Sequence, residues 1–123
     1  MIPGETIIGL DAAGHLWVVL SNETAAHQVV VVSLTSHNKS SCGEHCTVIA
    51  PAEHPWIEHD SCVFYRRTDL NPVLPLDNDK ARGMLRQSAP FSPDLLLRVQ
   101  EGALTSRFTT AAVKAAIAET LGR

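Results

Sequence analysis

The fold of this chain depends on the stretch Gln28-Val29-Val30-Val31-Val32-Ser33-Leu34. The stretch is apolar at successive positions and rich in β-branched valine, a pattern typical of a central strand that is buried on both faces. Three polar residues, Thr35, Ser36 and His37, follow directly. The pattern therefore predicts a core strand over residues 28–34 whose end leaves the core at a polar loop.

Further strand signals lie on both sides of this stretch. Leu16, Val18 and Leu20 recur with a period of two within residues 15–21, as a half-buried strand requires. Weaker patterns predict strands over residues 5–10, 46–50 and 56–65. Five short strands within about 65 residues indicate a small β-barrel.

Helix signals appear only near the C-terminus. Ser92 can cap a helix in which Pro93 takes the first position, and Gly102 can end it, which predicts a helix over about 92–101. Thr109 can cap a second helix over about 109–121, whose apolar stripe is Val113, Ala116, Ile117 and Leu121.

The segment between these two parts has little periodicity. Residues 68–91 contain Pro72, Pro75, Gly83 and Pro90, which predicts an irregular connection. We therefore expect a single domain over residues 1–123, mainly β with C-terminal helices, whose barrel core covers about residues 2–67.

Composition excludes several classes of protein. With 45% hydrophobic and 19% charged residues, the chain is typical of a soluble globular protein, and no apolar run is long enough to span a membrane. The net charge of −3 provides no global field that would attract nucleic acid, so any RNA contact must be local. The odd number of cysteines suits a reducing compartment, and we expect a cytoplasmic protein.

Groups capable of proton transfer or metal binding are concentrated in residues 37–62. This segment holds four of the six histidines and all three cysteines. Cys42, His45 and Cys46 are closely spaced soft ligands, and His37, His54, His59 or Cys62 could complete a tetrahedral zinc site. The paired Cys-x-x-Cys knuckles of common zinc domains are missing, however. We therefore expect no cofactor, and keep zinc as the alternative.

Several motifs in this order resemble the MazF/PemK group of toxin endoribonucleases. They are Pro3-Gly4-Glu5, Trp17-Val18-Val19-Leu20-Ser21, the pair Thr35-Ser36, and Asp60 on a later strand. The resemblance implies a small SH3-like barrel of the MazF/PemK/CcdB type. It also implies a homodimer that cleaves single-stranded RNA and is neutralised by a cognate antitoxin protein.

The same resemblance suggests which residues form the site. Catalytic roles would fall to His15, Thr35, Asp60 and His59, and an RNA contact to Ser36. Arg66 and Arg67 belong to a local concentration of basic residues and are predicted, with His37, as further RNA contacts; the alternative for these residues is an exposed, solvated loop. Metal-free RNA cleavage needs a base for the 2′-hydroxyl, an acid for the departing 5′ oxygen and donors for the phosphate. His15 would act as acid or phosphate donor, Thr35 would bind a phosphate oxygen, and Asp60 or His59 would act as the base or orient it.

The chain departs from the family pattern at one position that bears on catalysis. His15 stands where the family has arginine, and Leu16 follows where the family has proline. This departure favours the alternative of a degenerate or non-catalytic barrel that serves as a binding or regulatory module. A zinc-stabilised interaction domain is the other alternative.

Overall fold

The computed structural model describes residues 1–36 and 47–123. Its sheet is a curled half-barrel of five antiparallel strands in the order β1-β2-β3-β5-β4. The strands are β1 (Thr6–Ile8), β2 (Leu16–Val19), β3 (Gln28–Ser36), β4 (Val48–Ile49) and β5 (Ser61–Pro72), and the α-helices of the described ranges are α1 (Val73–Ala81), α2 (Pro93–Thr105) and α3 (Ala111–Thr120). The predicted class, mainly β with C-terminal helices, is confirmed, and a small barrel is consistent with the curled sheet.

Strand β3 lies at the centre of the sheet and is covered on both faces, as predicted. Val30 and Val32 belong to the core that includes α2 and α3, and Val29 and Val31 belong to a second core with α1. All four valines are fully buried. The two cores lie on opposite faces of one strand. A shift of β3 by a single residue would therefore move each of its side chains from one core to the other.

Strand β5 contains a large bulge opposite β3. Val31 pairs with Asp69 and Ser33 pairs with Phe64, so Val32 alone lies opposite residues 65–68. The Thr68 hydroxyl donates a hydrogen bond of 2.8 Å to the Tyr65 carbonyl and closes the bulge. The two arginines inside it, at positions 66 and 67, are exposed.

The prediction of an irregular segment over 68–91 is wrong for residues 68–81. Strand β5 continues beyond its bulge to Pro72, and α1 begins at the next residue. Pro75 lies in the first turn of α1, where a backbone N–H has no partner inside the helix and its loss costs little. Only Val73 and Leu76 of α1 are buried, so the helix has too few apolar positions to show a period.

The predicted strand over 56–65 begins only at Ser61, because residues 54–57 form a tight turn. The buried ring of His54 holds this turn. Its Nδ1 accepts a hydrogen bond of 3.1 Å from the Trp56 backbone, and its Nε2 donates one of 2.6 Å to the Ala89 carbonyl. His54 is therefore a structural residue of this turn.

Helix α2 begins as predicted, since the Ser92 hydroxyl accepts from the Leu95 N–H at 3.2 Å. It does not end at Gly102 but continues to Thr105. Gly102 faces the Tyr65 hydroxyl, which donates to the Val99 carbonyl at 2.9 Å and pairs with Thr47 Oγ1 at 2.7 Å. The glycine thus allows close packing inside the helix.

Helix α3 is capped one residue later than predicted. The Thr110 hydroxyl accepts a hydrogen bond of 3.3 Å from the Val113 N–H, whereas Thr109 is buried. The predicted stripe does face the core, through Val113, Ala116 and Ile117. None of the helices described here has the length and apolar character that a membrane crossing requires.

We predict that Gly102→Ala destabilises the protein, although alanine is the better helix former at an unconstrained position. A Cβ at this position would overlap the Tyr65 hydroxyl and lie 2.5 Å from Thr47 Oγ1. We expect urea denaturation to show a free energy of unfolding lower by about 2 kcal/mol, the usual cost of overpacking. In a protein that already carries Tyr65→Phe, which lacks the hydroxyl, Gly102→Ala should lower the free energy of unfolding by less than it does in the wild type. A neutral or stabilising Gly102→Ala would contradict the close packing.

Candidate functional site

A cleft of about 290 Å³ lies where β2 begins and β3 ends. Its polar lining comes from His15, Thr35, Ser36, Glu58, His59 and Ser61, and its apolar lining from Leu16, Leu34, Trp56 and Ile57. Trp17 pairs with Ser33 across β2 and β3, so the antiparallel register places His15 opposite Thr35. The turn before β5 brings His59 to the same cleft.

His15 is oriented by a carboxylate from its own loop. Its Nδ1 lies 2.7 Å from Asp11 Oδ2, and its backbone N–H donates to Asp11 Oδ1 at 3.1 Å. Gly14, with φ of 74°, gives the tight return that brings residue 15 back to residue 11. With Nδ1–H donating to the carboxylate, the neutral ring presents Nε2 as an acceptor.

The charge on Asp11 is stabilised by these contacts. Partial burial raises the pKa of the Asp11 carboxyl, but hydrogen bonds from the ring and backbone of His15 outweigh burial and hold this pKa below its ordinary value of 3.8. Arg67 Nη1, from the β5 bulge, lies 3.6 Å from Asp11 Oδ2. The buried Trp17 indole N–H has no hydrogen-bond partner of good geometry among the described residues, yet it also helps to lower the pKa of Asp11.

A second histidine lies on the other side of the cleft. His59 Nε2 is 2.7 Å from the Ser36 hydroxyl, which links the turn before β5 to the end of β3. Thr35 is half-buried beside it. The cleft therefore combines two imidazoles with hydroxyl groups, side chains that can move protons and donate hydrogen bonds to an anionic group.

The structure brings together part of the predicted site. His15, Thr35, Ser36 and His59 all line the cleft, whereas Asp60 is exposed and lies outside its lining. His37, a predicted RNA contact, lies outside the described residues.

The two predicted RNA-binding arginines point to different neighbours. Arg67 reaches Asp11 and so stands next to the cleft network. The Arg66 guanidinium instead lies 4.2 Å from the centre of the Phe108 ring, which Arg107 also approaches at 5.0 Å. These contacts link Arg66 to the connection between α2 and α3, away from the group around His15.

Sequence reasoning missed Asp11, Trp56 and Glu58. A signal for Asp11 was present, because a carboxylate four residues before a histidine with glycine between them can fold back onto the ring. Trp56 and Glu58 gave no such signal, since residues 56–60 read as strand. Their position in the cleft follows from the turn at His54.

The alternative zinc ligands Cys42, His45 and Cys46 lie outside the described residues. Within residues 1–36 and 47–123, no group of three or more His, Cys, Asp or Glu side chains could hold a metal ion. Cys62, considered as a further ligand, is buried and disulfide-bonded, so its sulfur is not a thiolate ligand. This disulfide does not fit the expectation of reduced cysteines.

No protein-family model and no curated protein sequence matches this chain. A proposal for the chemistry of this chain therefore depends on the residues and geometry of the cleft.

We predict that Asp11→Asn lowers stability in a pH-dependent way. Because folding lowers the pKa of Asp11, its contribution is present above the unfolded-state value near 3.8 and is lost as the pH falls through the folded-state pKa. Urea denaturation should therefore show a lower free energy of unfolding for the variant than for the wild type at about pH 6. This difference should shrink as the pH falls below 3.8.

A matched control exists elsewhere in the chain. Glu23 and His27 form an equivalent carboxylate–histidine contact at 3.1 Å, but the His27 side chain is 81% exposed. Glu23→Gln should therefore leave stability almost unchanged. A deficit for Asp11→Asn of equal size at every pH would assign the effect to packing rather than to charge.

Proposed function

We propose that this protein is a metal-independent endoribonuclease that cleaves single-stranded RNA, the toxin component of a toxin–antitoxin system. The observation that supports the chemistry is the pairing of His15 and His59 in one cleft that also contains hydroxyl donors. The toxin role rests on the sequence resemblance to the MazF/PemK group, to whose SH3-like barrel we also assign the curled sheet.

The proposed reaction is an internal transesterification. A base removes the proton of a ribose 2′-hydroxyl, and the oxygen attacks the adjacent phosphorus. The bond from phosphorus to the 5′ oxygen of the next nucleotide then breaks, and an acid protonates that oxygen. The products are a 2′,3′-cyclic phosphate and a 5′-hydroxyl, and every proton is accounted for by two side chains.

The contacts of the two histidines suggest their roles. Asp11 holds the Nδ1–H of His15, so Nε2 is available to accept the 2′-hydroxyl proton. This assigns the base role to His15, in place of the role of acid or phosphate donor that the resemblance suggested. His59, next to the Ser36 hydroxyl, would be the acid. Thr35 and Ser36 would donate hydrogen bonds to phosphate oxygens as charge develops there.

Arg67 would supply a positive charge near the position where the family has arginine. Its guanidinium lies 3.6 Å from Asp11, which in turn contacts His15. A positive charge is thus connected to the proposed base through Asp11. It comes from the β5 bulge and not from the strand that carries arginine in the family. Asp60 has no role in this scheme because it does not line the cleft.

The second candidate is a non-catalytic barrel that binds a partner or regulates it. The observation that favours it is His15 itself, since loss of the family arginine is expected in a degenerate toxin. Direct assay of cleavage separates the two candidates.

We predict that the purified protein cleaves single-stranded RNA in the presence of EDTA. Mass spectrometry of the products should find 2′,3′-cyclic phosphate ends. His15→Ala and His59→Ala should each lower the rate roughly 100-fold, the usual scale for losing one proton carrier. The pH profile of the wild type should be bell-shaped, and each variant should lose one limb.

The control for this experiment is His27→Asn. His27 is exposed, makes the same kind of carboxylate contact as His15 and has φ of 59°, a conformation that asparagine tolerates. It should cleave RNA at the wild-type rate, and all variants should have matching melting curves. If the wild type leaves a varied RNA pool intact at micromolar concentration, the enzyme proposal is wrong and the non-catalytic barrel replaces it.

The resemblance also suggests a homodimer that binds a cognate antitoxin. We predict a mass in light scattering of twice the 13.3 kDa chain. A disordered antitoxin segment that folds into the cleft should inhibit RNA cleavage on binding. A monomer at micromolar concentration would contradict the dimer but leave the cleavage chemistry open to its own test.

A further inference from the structure

Trp56 is an exposed aromatic residue on a turn that hydrogen bonds hold. Its side chain is 41% exposed and lines the cleft, whereas the other tryptophan, Trp17, is 8% exposed. The backbone N–H of Trp56 donates to the buried ring of His54, which is itself anchored to Ala89. The backbone from which the indole projects is therefore connected by hydrogen bonds to a buried residue.

Glu58 lies two residues further along the chain, just after this turn, and also lines the cleft. Among the described residues its carboxylate has no ion pair or hydrogen bond, unlike Glu53, which Arg98 binds through two nitrogens at 2.7 and 2.9 Å. An exposed carboxylate beside an exposed indole combines a flat apolar surface with a hydrogen-bond acceptor.

We propose that Trp56 and Glu58 form a base-recognition subsite for an unpaired nucleobase that carries an exocyclic amino group. The base would stack on the indole, and the Glu58 carboxylate would accept a hydrogen bond from the amino group. Stacking on an aromatic side chain is a common way to bind single strands, and carboxylates accept hydrogen bonds from base amino groups. This inference rests on the proposed function and gives its substrate a preference for a base with an amino group, which is cytosine, adenine or guanine, over uracil at one position.

The surroundings of the subsite fit this ligand. The cleft, about 290 Å³ in volume, lies near the lower limit of the roughly 300–1,000 Å³ usual for small-molecule sites. That volume suits one nucleotide rather than a helical segment. Leu34 and Ile57 supply apolar lining, while His15 and His59 line the same cleft and would face the sugar and phosphate. A base inside a duplex could not reach the indole without leaving its stack.

The experiment measures binding separately from cleavage. Fluorescently labelled 2′-O-methyl oligonucleotides lack the attacking hydroxyl and stay intact, so fluorescence anisotropy can give Kd values for oligo-C, oligo-A and oligo-U strands and for a duplex. We expect the C and A strands to bind more tightly than the U strand, and the duplex to bind weakly. Trp56→Ala should weaken binding about 5- to 150-fold, the range found for losing one stacked base, and Trp56→Phe should recover part of that loss.

Glu58→Gln tests the acceptor. An amide can donate as well as accept, so this variant should narrow the preference for C over U while keeping affinity for U. Leu97→Ala is the matched control for loss of an exposed apolar side chain, because Leu97 is 43% exposed on α2 and does not line the cleft. It should bind like the wild type, and melting curves should match throughout.

The outcomes separate this inference from the proposed function. If RNA cleavage depends on His15 and His59 but Trp56→Ala binds and cleaves like the wild type, the subsite is wrong and the enzyme proposal stands. If binding depends on Trp56 and favours C or A while no RNA is cut, the subsite stands and the enzyme proposal is wrong. Equal binding of all strands, or no binding at all, would overturn the subsite.

Discussion

The burial of β3 on both faces is the constraint on which the rest of the structure depends. Val29 and Val31 on one face and Val30 and Val32 on the other are removed completely from water. Each buried valine contributes roughly 1.5–3 kcal/mol relative to an exposed one, so both faces need a cover. Helices α2 and α3 supply one cover and α1 the other. The helices that follow the sheet are thus a requirement of its central strand.

The position of the cleft follows from the same strand. β3 leaves the core at Thr35, and its antiparallel neighbour β2 begins at the same edge, which brings His15 opposite Thr35. The turn anchored by His54 brings Trp56 and His59 to this edge from a third direction. Side chains able to transfer protons therefore lie where the buried strand meets solvent, and the fully buried part of β3 lies behind them.

The sequence predicted the parts of the fold that depend on local patterns. The valine run, the period of two around Val18 and the cap at Ser92 each produce the expected element, because each is decided by burial or by a local hydrogen bond. The prediction that α2 ends at Gly102 was wrong because this glycine allows a tertiary contact with Tyr65, which no local pattern reveals. The helix α1 was missed because it buries only two residues.

The candidate site divides in the same way. His15, Thr35, Ser36 and His59 could be selected from residue type and family resemblance, and the structure places them together. Asp60 could not be distinguished from His59, its neighbour in sequence, because the difference between them depends on how a turn directs each side chain. Asp11 and Trp56 could be assigned to the site only from the structure, because their positions depend on the paths of two loops.

The pairing of β3 with β5 has a consequence for how the chain reaches this structure. The contact between these strands starts with Ser36 opposite Ser61 and ends with Gln28 opposite Pro72, so the second partner of the valine run, after β2, is synthesised tens of residues later. At about 5–20 residues per second, the ribosome exposes this run for seconds before its partner emerges. A β-branched and uncharged segment with one edge unpaired is prone to aggregate. The yield of folded protein should therefore depend on the interval between synthesis of the two strands, and slow translation through residues 37–60 would lengthen the most vulnerable stage of folding.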